Sequence, residues 1–174
     1  MDPLRRAVFR SWPLFAALAA GLMLAVAHGF QSFGGLLPCE LCLKQRDAYW
    51  AAVAIGLAGF LFGRVFPRRH IVVVACALLT VVFLYEAGLA AYHAGVEWKV
   101  WPGPQVCTGG ADASLSAINT LLGGGRISSP RCDVAAWRFL GLSMAGWNAP
   151  IALVLAVLSG IAALGRELTR GLDR

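Results

Sequence analysis

Two cysteines separated by two residues, Cys39 and Cys42, form a C-x-x-C motif directly after Pro38. At the start of a helix, such a pair has its thiols near unsatisfied backbone N–H groups, which favour the thiolate form. Two further cysteines, Cys107 and Cys132, also lie outside the apolar runs of the chain. Because the thiolate is the nucleophile of thiol–disulfide exchange, these four residues indicate redox chemistry.

Arg46 is the charged residue best placed to act on these thiols. It follows Cys42 by four residues, so on a helix the two side chains share a face, and Tyr49 extends the same stripe. A fixed positive charge beside a thiol lowers its pKa, and a guanidinium can also hold an anionic redox partner. We therefore predict that Arg46 belongs to the same site as the C-x-x-C motif.

The cysteines permit other interpretations, since four cysteines allow three disulfide pairings. A zinc site is disfavoured because Cys107 and Cys132 are 25 positions apart and form no second short pair. A disulfide between these two would gain about 3–4 kcal/mol from loop closure, whereas a C-x-x-C ring constrains almost no chain. We therefore predict no metal and a redox role for Cys39 and Cys42, while the second pair could be structural.

Three residues within or at the end of the apolar runs are also of interest. Glu86 is a carboxyl in a membrane segment, which is costly and therefore marks a candidate functional group. His93 follows in the same segment and could handle a proton or donate a hydrogen bond to a bound acceptor. Cys76 stands alone in an apolar run and is interpreted as a small buried hydrophobe.

The elements that must position these residues are four long apolar runs. Hydrophobic residues make up 59% of the 174 residues and charged residues 14%, against roughly 25% charged in an average soluble domain. Each run is close to the roughly 20 residues that cross a bilayer core, where only helices satisfy the backbone. We predict a single membrane domain over residues 1–174, an all-α four-helix transmembrane bundle. The expected helices cover about residues 12–30, 47–63, 71–92 and 147–165.

The first run also resembles a cleavable signal peptide. Basic residues precede it, and Ala25-Val26-Ala27 has the small-residue pattern of a cleavage site. Cleavage there would leave the orientation of the other three helices unchanged.

Arginine and lysine residues indicate how the helices are oriented. Nine of the fifteen lie in three short segments, and basic flanks stay on the cytoplasmic side. These nine are Arg5, Arg6, Arg10, Arg64, Arg68, Arg69, Arg166, Arg170 and Arg174. Both termini are therefore predicted inside, and the loops 31–46 and 93–146, which hold four of the five cysteines, outside. This distribution also argues that the net charge of +6 reflects membrane orientation and not nucleic-acid binding.

The second outer loop contains an amphipathic stretch. Apolar residues recur at helical spacing between polar ones, which predicts a short helix on the membrane surface. They are Leu115, Ile118, Leu121 and Leu122. A run of three glycines, residues 123–125, follows and would give Cys132 freedom to move.

The whole pattern resembles the DsbB family of bacterial inner-membrane disulfide-generating proteins. The resemblance rests on four helices, P-C-x-x-C before the second helix with Arg46 four residues on, and a second cysteine pair in the long outer loop. Local matches are Tyr92-His93-Ala94-Gly95-Val96-Glu97-Trp98 and the segment from Cys132 through Trp137 and Phe139-Leu140-Gly141-Leu142-Ser143-Met144 to Trp147-Asn148. The chain departs from the best-known members at one position, where Gln45 replaces an acidic residue. The neighbouring Arg46 keeps its place in the pattern.

The resemblance implies a route for electrons. A DsbA-like periplasmic thioredoxin-fold protein would attack a Cys107–Cys132 disulfide, and Cys132 would then exchange with a Cys39–Cys42 disulfide by attacking Cys39. Cys42 would face ubiquinone or menaquinone from the membrane pool, with Arg46 stabilising developing charge and His93 near the quinone. The site residues implied are thus Cys39, Cys42, Cys107, Cys132, Arg46 and His93. The implied location is the bacterial inner membrane, among its lipids, with the cysteine loops in the periplasm.

Two other functions compete with this one. Proteins similar to vitamin K epoxide reductase also combine four helices with redox thiols, but their C-x-x-C lies near the last helices. A membrane scaffold with structural disulfides is the alternative that involves no enzyme. Turnover of quinone with a reduced thioredoxin-like partner separates the enzyme from the scaffold.

Overall fold

A computed structural model describes residues 3–66, 69–104, 122 and 131–172 of the chain. Within these ranges there are four long helices and one small hairpin. The helices are α1 (Pro3–Ser32), α2 (Glu40–Val65), α3 (Arg69–Glu97) and α4 (Met144–Leu172), and the strands are β1 (Arg138–Phe139) and β2 (Leu142–Ser143). The predicted surface helix and the glycine run, apart from Leu122, lie outside the described residues.

All four helices are long and apolar enough to cross a membrane. Their apolar side chains remain exposed around the bundle, as expected for a surface that faces lipid. Examples from the four helices in turn are Leu18, Leu61, Val81 and Val154. The prediction of an all-α four-helix transmembrane bundle is confirmed.

The helices extend beyond the predicted spans at both ends. Hydropathy follows the bilayer core, whereas a helix continues until its backbone is capped or turned. The predicted loops 31–46 and 93–146 are therefore partly wrong: α2 already begins at Glu40 and α3 ends only at Glu97. As a result, Arg46 and His93 lie within helices and not in loops.

Small residues allow the helices to approach closely. Gly56 of α2 faces α1 so tightly that an added Cβ would lie 2.5 Å from the carbonyl oxygen of Pro13. Ala16 and Ala20 of α1 pack with Ala52 of α2 in the main core cluster, which larger side chains of α3 complete. Such small-residue contacts are typical of packing in membranes, where water provides no driving force between helices.

The hairpin precedes α4 and was not predicted from the sequence. Arg138 pairs with Ser143 and Phe139 with Leu142 in antiparallel register. Leu140 and Gly141 between them have φ values of 49° and 82°, the pattern of a type I′ turn. The Ser143 hydroxyl accepts a hydrogen bond from Gly146 N at 3.0 Å, so the hairpin ends as the N-cap of α4.

Candidate functional site

The C-x-x-C motif forms the N-terminus of α2. Cys39 is the N-cap residue, with φ −77° and ψ 172°, and its sulfur accepts a hydrogen bond from Cys42 N at 3.3 Å. Its Sγ lies 2.8 Å from that of Cys42, well beyond a disulfide bond of about 2.05 Å. The structure therefore holds the pair as two thiols at a helix N-terminus, with Cys39 buried and Cys42 partly exposed.

The two thiols differ in how they hold a proton. The hydrogen bond with the Cys42 side chain, followed by burial, raises the pKa of Cys39 well above its ordinary value. Cys39 therefore keeps its proton and is the donor in the 2.8 Å contact with the Cys42 sulfur. Cys42 is the more exposed of the two sulfurs.

Cys132 is brought to the same place. It is fully buried and disulfide-bonded, and it packs in one cluster with Cys39, Leu41 and Val96, against which Cys42 also packs. Cys132 therefore meets Cys39 and Cys42 in one cluster, although at least 90 positions of the sequence separate it from them. Cys107, the remaining cysteine predicted for the site, lies outside the described residues.

The segment around Cys132 is fixed by an ion-pair cluster. Arg131 contacts both carboxylate oxygens of Asp133 at 2.9 Å, and Lys99 Nζ lies 2.6 Å from Oδ2. Lys99 also donates to the backbone oxygen of Asp133 at 2.8 Å. The hydrogen bond from Arg131, followed by that from Lys99, lowers the pKa of Asp133 below its usual range. These contacts join the residues on both sides of Cys132 to the end of α3.

His93 lies between the two cysteine segments. It is buried, its Nε2 lies 3.7 Å from Cys39 Sγ, and it forms a hydrogen bond with the backbone of Cys132. Its Nδ1 lies 3.2 Å from Nε2 of Gln45. His93 Nε2 is also 3.9 Å from Oε1 of Glu97, a buried carboxylate at the last position of α3.

Arg46 lines the same cavity as Cys42, and its guanidinium points toward α1. Nη1 donates to Gln31 Oε1 at 2.5 Å, and Nη2 donates to the Ala27 carbonyl at 3.0 Å. Both contacts hold the C-terminal end of α1 against α2. The positive charge therefore lies in the cavity wall and acts on Cys42 through space.

The cavity itself lies between the thiols and the apolar end of α1. Its volume is about 150 Å³, a size at which a protein cavity holds a benzene ring. One wall is apolar and includes Met23, Leu24 and Phe30; the other carries Cys42, Arg46 and His93. A planar ring with polar atoms at its edge matches this division.

A metal ion fits these side chains less well than a planar ring does. Sγ of Cys39, Sγ of Cys42 and a ring nitrogen of His93 lie within 4.8 Å of one another, which gives three potential ligands. The Gln45 amide that donates to Nδ1, however, leaves the hydrogen of a neutral ring on Nε2, the nitrogen that faces the sulfurs. A metal ligand needs a lone pair there.

Several site residues were not recognised from the sequence. Gln45, Asn148 and Glu97 all contribute buried polar atoms to this end of the bundle, and Gln31 accepts from Arg46. Gln45, Glu97 and Asn148 lie in segments that resemble the family, but neither that resemblance nor their polarity indicated that they meet at one site. Tyr49, assigned to the stripe with Arg46, lines the cavity and donates to Asn148 Oδ1.

Comparison with known proteins identifies the family of the chain. The family model described as disulfide bond formation protein DsbB matches residues 9–162. The chain belongs to the DsbB family. Proteins called disulfide bond formation protein B are similar to it, with 35% identity in Marinobacter nauticus over 162 residues, 88% of this chain and 90% of that protein. The relative from Nitrosospira multiformis is 33% identical over 155 residues, 87% of this chain and 88% of that protein.

DsbB-family membership gives disulfide bond formation as the general role of the chain. The four apolar helices agree with the multi-pass membrane architecture of the family. Disulfide formation requires cysteines that can exchange partners, and the buried cluster of Cys39, Cys42 and Cys132 is a suitable place for it.

Proposed function

We propose that the chain is a thiol:quinone oxidoreductase that generates disulfides in a DsbA-like periplasmic protein. The observation that carries the proposal is the joint packing of Cys39 and Cys132 in one cluster beside the cavity. Exchange between two cysteine pairs needs the attacking and attacked sulfurs to meet, and the cavity offers a site for the final electron acceptor.

The first exchange takes place between the partner and the second cysteine pair. A thiolate of the partner attacks the Cys107–Cys132 disulfide at Cys107, which gives a mixed disulfide and releases Cys132 as a thiolate. The partner's second thiolate then displaces Cys107 and leaves with a disulfide. Two electrons have passed to Cys107 and Cys132.

The second exchange takes place inside the cluster. Cys132 attacks Cys39 of a Cys39–Cys42 disulfide, so that a Cys39–Cys132 bond forms and Cys42 leaves as a thiolate. The α2 N-terminus and the nearby Arg46 favour the charge on Cys42. Cys107 then attacks Cys132, which restores the first disulfide and leaves Cys39 and Cys42 reduced, the state that the described thiols have.

The cavity fits a quinone as the final acceptor. The apolar wall at Met23, Leu24 and Phe30 suits the ring, while the Arg46 guanidinium is a donor suited to a carbonyl oxygen and His93 lines the same site. Ubiquinone or menaquinone, when bound, would accept the two electrons and two protons of the dithiol and leave as quinol. Arg46, held by Gln31 and Ala27, keeps its positive charge beside Cys42 without a change of rotamer.

The proposed location is the bacterial inner membrane with the thiol end in the periplasm. Arg10 near the start of α1 and Arg64 near the end of α2 lie at the end of the bundle opposite Cys39, since α1 and α2 run in opposite directions. Basic residues favour the cytoplasmic side. In this orientation the cavity lies beside the thiols, where quinone can reach it from the pool in the surrounding membrane lipids.

The test is quinone reduction by the purified full-length protein in detergent, supplied with a reduced thioredoxin-fold partner and a short-chain ubiquinone or menaquinone. Loss of quinone absorbance is expected for the wild type and for Cys76→Ser, whose residue packs with Val72 and Ala162 away from the cavity. Cys42→Ser should show none. Turnover that persists in Cys42→Ser contradicts the mechanism, and a wild type inactive with both quinones supports the scaffold alternative.

A further inference from the structure

Glu86 is a buried carboxylate that the proposed reaction does not use. Its side chain is fully buried in the membrane-spanning part of α3. Oε1 accepts a hydrogen bond from Asn148 Nδ2 at 2.6 Å, and Oε2 has no hydrogen-bond partner among the residues that the structure describes. A carboxyl in such a place is costly, which makes a functional reason for it worth seeking.

Asn148 connects Glu86 to Gln45. Its Nδ2 donates one hydrogen to Glu86 Oε1 and the other to Gln45 Oε1, which lies 3.0 Å away. Its Oδ1 accepts from the hydroxyl of Tyr49. Every polar atom of the Asn148 amide is therefore occupied, and its orientation follows from its partners.

Gln45 extends the chain of hydrogen bonds to His93. Because Gln45 Oε1 faces the Asn148 donor, the other end of its amide, Nε2, faces His93 Nδ1 at 3.2 Å. An amide nitrogen is only a donor, so Nδ1 is the acceptor and the hydrogen of a neutral His93 ring lies on Nε2.

The hydrogen bond that Glu86 accepts sets the direction of the whole chain. If both amides were reversed, Asn148 Oδ1 would face Glu86 Oε1, and two acceptors would oppose each other. In the observed arrangement Glu86 Oε1 accepts from Asn148, and this bond keeps Asn148, Gln45 and His93 in one direction, since the reverse direction would need a hydrogen on Oε1. The surroundings of the ring agree, since the backbone of Cys132, Cys39 Sγ at 3.7 Å and Glu97 Oε1 at 3.9 Å are all acceptors available to its one hydrogen.

We propose that Glu86 is a positioning residue that acts through Asn148 and Gln45 to hold His93 as the Nε2–H tautomer, a hydrogen-bond donor to Cys39. The benefit of this donor to the reaction rests on the proposed function. When Cys107 attacks Cys132 of the Cys39–Cys132 bond, the Cys39 sulfur leaves with the electron pair. A donor directed at that sulfur stabilises it until a proton arrives.

The tautomer can be measured directly by NMR. Full-length protein with nitrogen-labelled histidine, in detergent and with Cys39 and Cys42 reduced, gives separate signals for protonated and bare ring nitrogens. The chain has three histidines, and loss of one set of signals in His93→Gln assigns the residue. We expect wild-type His93 to be protonated on Nε2 alone.

Glu86→Gln is the decisive variant, because its amide always carries an N–H donor that can face Asn148 and so permits both directions of the chain. It should show both tautomers of His93 and turn over quinone more slowly. Asp47→Asn is the matched control, an exposed carboxylate of α2 changed in the same way, and should keep the wild-type tautomer and rate. If Glu86→Gln does not fold, Gln45→Glu tests the same chain, since a carboxylate facing Nδ1 should move the hydrogen to that nitrogen.

The outcomes are distinct. Wild-type His93 protonated on Nδ1, or an unchanged tautomer in Glu86→Gln and Gln45→Glu, overturns the positioning role. The expected tautomers, with a slower Glu86→Gln, support it. A wild type without quinone turnover would refute the proposed function and leave the NMR result to decide the tautomer by itself.

Discussion

The ammonium of Lys99 lies 2.6 Å from Oδ2 of Asp133, and this contact ties the end of α3 to the residue that follows Cys132. Lys99 adopts a φ of 61°, a left-handed conformation that a lysine rarely takes, immediately after α3 ends. The backbone turn and the ion pair together hold the Cys132 segment beside the C-x-x-C motif.

Asp133→Asn should therefore slow exchange between Cys39 and Cys132. Exposed ion pairs contribute about 0.2–1 kcal/mol each, so a decrease in rate of roughly 1.5- to 5-fold is expected. The measurement is the rate at which added oxidised glutathione converts the two thiols of a Cys42→Ser, Cys107→Ser background into a Cys39–Cys132 disulfide, with reduced glutathione as the product. Lys44→Gln, which breaks the exposed ion pair with Glu40, is the control and should leave the rate unchanged. An equal or faster rate in Asp133→Asn would show that the ion pair does not position Cys132.

The same cluster predicts how stability depends on pH. The pKa of Asp133 is lowered in the folded protein, so its ion pairs contribute fully above the ordinary value of 3.8 and are lost as pH falls through the lower, folded pKa. The difference in apparent Tm between wild type and Asp133→Asn should stay constant from neutral pH to about pH 5 and shrink below pH 4. Thermal unfolding in detergent at fixed ionic strength measures it. A difference that instead disappears between pH 5 and 7 would mean that another group titrates.

Arg46→Ala should impair the quinone step. It removes a positive charge from the cavity wall and two hydrogen bonds to α1, and hydrogen bonds to charged groups contribute about 1.5–3 kcal/mol. We expect the apparent KM for quinone to rise, or turnover to fall, by about tenfold or more. Steady-state kinetics with varied quinone provide the test, with Lys44→Ala as a control for loss of an exposed positive charge. Arg46 has no part in the quinone site if both variants behave as wild type while the partner still binds.

Gly56→Ala tests the close approach of α1 and α2. The new Cβ would meet the Pro13 carbonyl oxygen at 2.5 Å and the Ala17 Cβ at 2.8 Å, and backbone cannot move aside cheaply. Overpacking of this kind costs about 1–3 kcal/mol, so apparent Tm should fall by several degrees. Gly88→Ala is the matched control, because nothing lies within 4 Å of its Cβ position, and it should be neutral or slightly stabilising. Equal Tm values for the two variants would mean that the contact is not close.

The bundle and the placement of Cys39 and Cys42 at a helix start could be predicted from the sequence because each has a local signal. A membrane span is visible in some 20 consecutive residues, and Cys39 and Cys42 are close in the chain. The polar residues behind the thiols could not be predicted. Asn148 meets Gln45 across 103 positions, and neither residue indicates which partner it has. The two-residue strands beside Leu140 and Gly141 are likewise too short for a periodic pattern, so the glycine was their only signal.

In the proposed function Cys39 is a reactive sulfur, and in the structure it is also the N-cap of α2, where its Sγ accepts a hydrogen bond from Cys42 N. Every bond that forms or breaks at this sulfur therefore alters the first turn of a membrane helix. The hydrogen bond from the backbone amide of Cys42 should strengthen or weaken with the electron density on the Cys39 sulfur. The amide therefore responds to the oxidation state of Cys39. Amide hydrogen exchange at this one position would report each redox change without an added probe.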